Sequence, residues 1–285
     1  MFRFLKVALY VVIGLVLAGL AGLWWIGAWN LVFPTNHHDA TPPELSADIH
    51  PPSLLLFSKT NAFRHRAGIP GAVEAIGAIA DARGWKWVHL ENGAVFNDED
   101  LDRFTVVAFV NATGNMLSAE QRQSFRKWLT SGGSWLGVHA AGDGSHAGWP
   151  WYVEHLIGAE YDAHILGPQF QTATVITSDA GRSVLGDIPE AWQHEEEWYS
   201  WKTSPRTQGF TVLATVDETS YTPELNAFGT SRDLRMGDHP VVWTKPVGRG
   251  RGLYIAMGHK QDAFASAPMQ ALLLGSLNYL IDTGK

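Results

Sequence analysis

Short, largely apolar runs recur at residues 54–57, 85–90, 105–110 and 135–138, and a helical pattern or a polar loop separates each from the next. A strand covered on both faces reads as an unbroken apolar run, whereas a strand with one wet face alternates. Between the first two runs, Pro70 opens a helix whose Val73, Ile76 and Ile79 form one stripe, and Gly84 supplies a left-handed stop. Between the third and fourth, Ser118 and Gln121 have capping-box spacing and Gly132-Gly133 ends the helix. Strands and helices alternating on this scale require right-handed crossovers and parallel strands. The expected fold class is α/β: three layers, with a mostly parallel sheet flanked by helices. Past Gly158 the rhythm changes, and 171–177, 197–202, 211–217 and 241–244 read as strands of an antiparallel extension. A last core strand at 252–257 and a closing helix at 268–281 complete the pattern.

Residues 7–29 carry no charge, and about 20 apolar residues suffice to cross a bilayer core as a helix. Arg3 and Lys6 precede this run, and no Lys or Arg follows it until Lys59. The positive-inside rule then places the N-terminus in the cytoplasm and the bulk of the chain outside, with Trp24, Trp25 and Trp29 at the headgroup level. The expected organisation is a single-pass transmembrane anchor over 1–29, a linker over 30–53 set off by Pro34, Pro42, Pro43, Pro51 and Pro52, and one domain over 54–285. The rival is a signal peptide cleaved at Gly19-Leu20-Ala21. It would leave residues 23–29 as an exposed apolar terminus, so the uncleaved anchor is the preferred reading.

A formal net charge of −7 without any basic cluster argues against a nucleic-acid partner. The chain has no cysteine, which removes thiol nucleophiles, thiolate metal sites and disulfides. No Gly-x-Ser-x-Gly occurs, and Gly133-Ser134 precedes a strand where a serine nucleophile would follow one.

Ligands of an open α/β sheet bind beyond the carboxyl ends of its strands. That rule selects His65 after the first strand, Asn111 and Thr113 after the third, His139 and Asp143 after the fourth, and His259 after the last. One loop histidine is usually a hydrogen-bonding surface residue, but three brought to one rim are a candidate site. His37, His38, His50 and His146 are expected to be solvated, and His89 and His155 to be structural. His164, His194 and His239 stay open. Glu195-Glu196-Glu197 abuts Trp198-Tyr199, and Trp149-Pro150-Trp151-Tyr152 forms a second aromatic cluster. Carboxylates beside ring faces suit sugar binding, although the same rings also suit a core.

These segments carry a family resemblance. Phe63-Arg64-His65, Asn111-Ala112-Thr113-Gly114, Gly137-Val138-His139-Ala140-Ala141 with Asp143, Trp149-Pro150-Trp151-Tyr152, Glu196-Glu197-Trp198-Tyr199, Asp238-His239-Pro240 with Trp243, and Gly258-His259 together resemble the ThuA-like (trehalose utilisation) family. The resemblance implies a class I glutamine amidotransferase-like, flavodoxin-like fold and work on trehalose or similar disaccharides, keto-sugars included. In the related amidotransferases a cysteine nucleophile sits on the turn that His139 occupies here, and its histidine partner matches His259. Glutaminase chemistry is therefore excluded, because imidazole cannot replace a thiolate as acyl carrier. Ala112 stands where a second Thr is common, and many relatives lack the N-terminal apolar run.

Two functions follow as expectations. One is a glycoside- or keto-glycoside-active hydrolase or lyase. Its catalytic set is His139, His259, His65, Glu197 and Asp143, with the three histidines also able to hold a divalent metal. Asp143 would orient His139. Asn111, Thr113, Trp149, Tyr152, Trp198, Tyr199 and His239 would contact the carbohydrate, and no nucleotide cofactor is expected. The other is a non-catalytic sugar-binding or scaffold domain at the membrane surface, which needs the aromatics and not the imidazoles.

Overall fold

The computed structural model describes residues 2–33, 35–227 and 229–282. Pro34 and the outermost residues of the expected anchor and domain lie outside them. The chain opens with α1 (Phe2–Trp25) and the single turn α2 (Trp29–Val32). The domain then begins with β1 (Ser53–Phe57), α3 (Gly68–Arg83), β2 (Lys86–Leu90), α4 (Asp98–Leu101) and β3 (Val106–Val110). It continues through α5 (Ala119–Thr130), β4 (Ser134–Val138), α6 (Pro150–Tyr152), β5 (Tyr161–His164), β6 (Gln171–Thr177) and α7 (Asp179–Leu185). The remaining elements are β7 (Ala191–Glu196), β8 (Tyr199–Trp201), β9 (Thr211–Val216), β10 (Glu224–Ala227), β11 (Thr230–Asp233), β12 (Pro240–Val247), β13 (Gly250–Ile255) and α8 (Ala267–Ile281).

Nine strands form one sheet in the order β2-β1-β3-β4-β13-β12-β9-β6-β7. Its first five strands are parallel, and the four that follow are antiparallel. β1, β3 and β4 are buried at every position, as their unbroken apolar sequences require. The order moves outward from β1 to β2 in one direction and from β3 to β4 in the other. Right-handed crossovers therefore put α3 and α5 on opposite faces. Ser118 and Gln121 close a complete capping box on α5, and α3 stops at Gly84 in the left-handed conformation, φ 69°.

The antiparallel half departs from the sequence pattern at β7 and β8. β7 alternates exposed and buried, but its inward residues are Trp192, His194 and Glu196, so hydrophobicity alone misses the period. The segment expected as a strand over 197–202 is shortened to β8, which pairs with β5 in a separate ribbon and not with the main sheet.

The main sheet also curls. β7 lies four places from β13, which at about 4.8 Å per strand is roughly 19 Å across a flat sheet. Yet the amide of Gly258, just past β13, donates to Glu196 Oε2 of β7 at 2.6 Å. Two register shifts between β12 and β9 supply local bending, since a bulge increases twist. The fold thus wraps its antiparallel half over the carboxyl edge of its parallel half.

The proline-rich segment is not a free spacer, in contrast to the linker expected over 30–53. Asp39 ion-pairs with Lys59 and accepts the amide of Gly93 at 2.8 Å. Asn115 donates to Asn36 at 3.0 Å, Arg103 donates to the carbonyl of Ile49 at 3.2 Å, and Ile49 itself is buried. Each contact satisfies polar groups that an extended chain would leave to water, so the segment runs along the domain as a strap.

Candidate metal and catalytic centre

His65, His139 and His259 meet. Each offers one nitrogen, and Glu197 one oxygen, all within 4.8 Å of one another. His65 comes from the loop after β1, His139 from the turn that ends β4, and His259 from the loop after β13. The parallel strands deliver all three to the same edge. Glu197 arrives from the curled half, immediately after β7.

His139 has φ 48°, an uncommon backbone conformation for a side-chain-bearing residue. The turn is held by Tyr254, whose hydroxyl donates to the His139 carbonyl at 2.5 Å. Such strain persists only where surrounding contacts over-determine it, and it gathers at functional sites. His139 Nδ1–H donates to the carbonyl of Ala256 at 2.8 Å. That fixes the tautomer and leaves Nε2 bare and pointing inward, 3.2 Å from His259 Nδ1 and 3.6 Å from Glu197 Oε2. A backbone carbonyl behind a ligating histidine is a recurrent second partner in metal sites. His259 Nδ1 is also 3.0 Å from Glu197 Oε2. His65 packs edge-on against both other imidazoles, with ring centres 4.9 and 4.7 Å away. Its Nδ1 is buried without a hydrogen-bond partner.

Electrostatics agree with the geometry. Burial first, then the neighbouring His139 and His259, hold the pKa of His65 well below the ordinary imidazole value, so the ring stays neutral. For His139, burial pulls downward, but the hydrogen bond that the protonated ring would donate to Glu197, and the charges of Glu196 and Glu197, outweigh it and raise the value. Glu197 is itself buried, which alone would favour the protonated acid. Hydrogen bonds from His139 and His259 reverse this and keep it ionised.

The four residues fit a divalent cation. Three nitrogen donors and one carboxylate suit zinc, manganese or iron-type ions.

Around this centre the acidic triplet divides its work. Glu195 ion-pairs with Lys260 at the surface. Glu196 is buried and accepts the amides of Gly258 and Glu197 at 2.6 and 2.8 Å, so it holds the His259 loop against β7. Glu197 faces the imidazoles. Two residues beyond those singled out from sequence also touch Glu197: His164 Nδ1 at 3.2 Å and Gln169 Nε2 at 2.5 Å. They enter from β5 and the loop after it, whose place at the site follows from no motif. His164 is the more open side of the site, with 32% of its side chain exposed against 16% for His259.

Several expected contacts are corrected. Asp143 does not orient His139. Its Oδ1 accepts the amide of Ser145 at 2.9 Å, capping the turn at residues 144–146, and Ala256 takes the orienting place. Trp149 and Tyr152 are core residues, stacked with ring centres 5.0 Å apart, and Tyr152 donates to the Ala141 carbonyl at 2.5 Å. Trp198 is buried too, its indole donating to the Gln171 carbonyl at 2.8 Å. Asn111 and Thr113 are scaffold: Asn111 spans the Gly258 carbonyl and the Ala140 amide, both at 3.3 Å, and Thr113 donates to the Phe63 carbonyl at 2.8 Å. Tyr199 forms a wall, its ring centre 4.3 Å from that of His139. His146, expected in solvent, is buried against the carbonyls of Ala112 and Ala140.

His239 also stands back from the centre, between the Tyr199 carbonyl at 2.7 Å and Glu218 at 2.8 Å. Burial alone would raise the Glu218 pKa, but His239 and the amides of Met236 and Gly237 lower it to about 2. A carboxyl depressed in the folded state stabilises fully above its ordinary value, and that contribution fades as pH falls toward 2. The melting temperature should therefore exceed that of Glu218→Gln at pH 6, and the gap should narrow steadily in melts taken down to pH 2.5. A constant gap across that range would contradict the assignment.

Comparison with known proteins places this architecture. The sequence profile described as ThuA, Trehalose utilisation, matches residues 53–280. A putative ThuA-like protein from Bacteroides uniformis ATCC 8492 is similar in structure at TM-score 0.67 and 23% identity, covering 84% of this chain and 95% of that one. Another, from Parabacteroides merdae ATCC 43184, is similar at TM-score 0.61 and 17% identity, covering 82% and 91%. No curated protein matches. With its profile match spanning the α/β domain, the chain belongs to the ThuA family.

Proposed function

We propose that the domain is a metal-assisted hydrolase or lyase acting on a glycoside or keto-glycoside, attached to a membrane by α1 with its N-terminus on the cytoplasmic side. The observation that carries the reading is the convergence of three imidazoles and Glu197. The family description, trehalose utilisation, supplies the substrate class. His65, His139, His259 and Glu197 would hold the cation, which when bound would supply Lewis acidity toward a sugar oxygen. Ala256 fixes the His139 tautomer, and Glu196 positions the His259 loop. His164 and Gln169 flank Glu197 on the open side and are placed to meet hydroxyl groups of the sugar. Burial raises the Tyr199 phenol well above its ordinary value, so it stays protonated beside His139.

The sugar-binding scaffold reading required open aromatic platforms at Trp149, Tyr152 and Trp198, and all three rings are buried. The test is aglycone release from a panel of disaccharides and their keto derivatives, using tag-free protein with and without chelator. Release should depend on added divalent metal. Losing even an outer partner of a metal ligand costs roughly 10–100-fold, so His139→Ala, which removes one of the four holding groups, should fall by at least that factor. Wild-type turnover by His139→Ala and His259→Ala would end the proposal.

A further inference from the structure

The helix that precedes the domain is not a loose tether. Among the described residues α1 is exposed along its length and touches the domain only at its end. There the contacts are specific. The carbonyl of Gly27 accepts the backbone amide of Arg64 at 2.9 Å. Arg66 donates twice to the carbonyl of Trp24, at 3.1 and 2.7 Å, and its guanidinium lies 4.3 Å from the Trp24 ring centre. Asn30 donates to the carbonyl of Thr60 at 3.1 Å. Gly27 has φ 83°, and a Cβ there would come within 2.1 Å of the Arg64 carbonyl, so only glycine permits this approach. Gly27 and Ala28 are buried by it. The loop so clamped, Thr60 to Arg66, is the one that carries His65.

The apolar surface continues past the helix. Trp25, Ile26, Trp29, Leu31, Val32 and Phe33 are all exposed. Among the described residues the exposed large apolar side chains lie between Phe4 and Phe33, with Ile176 the sole exception. An apolar patch of this extent marks a docking surface, and its continuity with a 23-residue apolar helix names the occupant. Tryptophans settle at the boundary between hydrocarbon and headgroups, and a short apolar turn beside them lies in the interface plane.

We infer that residues 24–33 and the loop Thr60–Arg66 form one bilayer-contacting surface, which fixes the rim of the His/Glu centre at the lipid headgroups. The glycoside is then one presented at a membrane surface, such as a sugar carried on a lipid. This rests on the proposal that α1 stays attached and spans the bilayer, and it is independent of whether the centre holds metal.

The chain has no cysteine, so single labels can be placed cleanly. Full-length protein is reconstituted in phosphatidylcholine vesicles containing a headgroup spin-labelled lipid, with a fluorophore on Ala67→Cys beside the clamp or on Ser131→Cys. Ser131 is exposed and precedes β4, at the opposite edge of the sheet from the site. Both variants should float with the vesicles, and the label at position 67 should be quenched several-fold more than that at 131. Adding Gly27→Val to each should leave flotation intact and abolish the difference. Equal quenching in floating protein, or a difference that survives Gly27→Val, overturns the docking while leaving the anchor standing. Failure to float overturns the anchor and this inference with it, and leaves the metal and turnover tests untouched.

Discussion

Glu197→Gln should weaken divalent-metal binding by at least about 100-fold, because the loss of even an outer partner of a metal ligand costs ~10–100-fold. Glu197 is the only carboxylate in the four-residue centre and reaches His139, His259, His164 and Gln169. The isosteric amide keeps the shape and removes the charge. Two measurements check this on tag-free protein: calorimetric titration with zinc or manganese, and the metal-dependent rise in melting temperature. A ligand at 100 times its dissociation constant stabilises by about 2.7 kcal/mol, so the unsubstituted protein should show a clear rise that Glu197→Gln lacks. Binding and melting shifts that match the unsubstituted protein would show that the four residues do not form a metal site. His139→Ala is the companion variant, since it removes a nitrogen and leaves the carboxylate.

The second large effect is expected far from solvent. Trp243 on β12 is wholly buried, its ring centre 4.8 Å from Tyr254 and 5.3 Å from Trp201, and its indole donates to the Ile157 carbonyl at 2.8 Å. Truncating a buried Trp to Ala costs about 3–5 kcal/mol through lost burial and the cavity left behind. Here the Ile157 carbonyl also loses its donor. Trp243→Ala should therefore lower the denaturant midpoint by that equivalent at unchanged slope. Tyr254 rests on this ring and holds the His139 carbonyl, so metal affinity should fall as well, although Trp243 touches no ligand. A loss below about 1.5 kcal/mol, the range of volume-conserving swaps, would mean that the stack does not support the site.

How far the sequence could be read depended on which half of the sheet was in view. β1, β3 and β4 announce themselves because a strand covered on both faces is apolar along most of its length, with only Ser53 and Ser134 as polar residues at the starts of β1 and β4. His65, His139 and His259 were legible for the same reason, since parallel strands bring their carboxyl ends to one edge and the loops there must converge. The antiparallel half is harder. β7 has a clean period of two, but its inward residues include His194 and Glu196, so composition hides it. His164 and Gln169 reach Glu197 from β5 and the loop after it, a ribbon outside the main sheet, and that placement is a tertiary event with no local signal. The aromatic pairs failed for another reason. A ring that stacks on a sugar and a ring that meets Phe125 edge-on, as Trp149 does, are the same residue in a sequence.

Three adjacent carboxylates end at three different destinations: Glu195 at a surface lysine, Glu196 at the backbone of the His259 loop, and Glu197 among the imidazoles. Successive strand residues face opposite ways, which sends Glu195 outward and Glu196 inward on β7, whereas Glu197 lies past the strand's end and leaves that alternation to face the imidazoles. Deleting Glu195 would conserve two of the acids and still misassign both. For this segment, spacing carries information that residue identity does not.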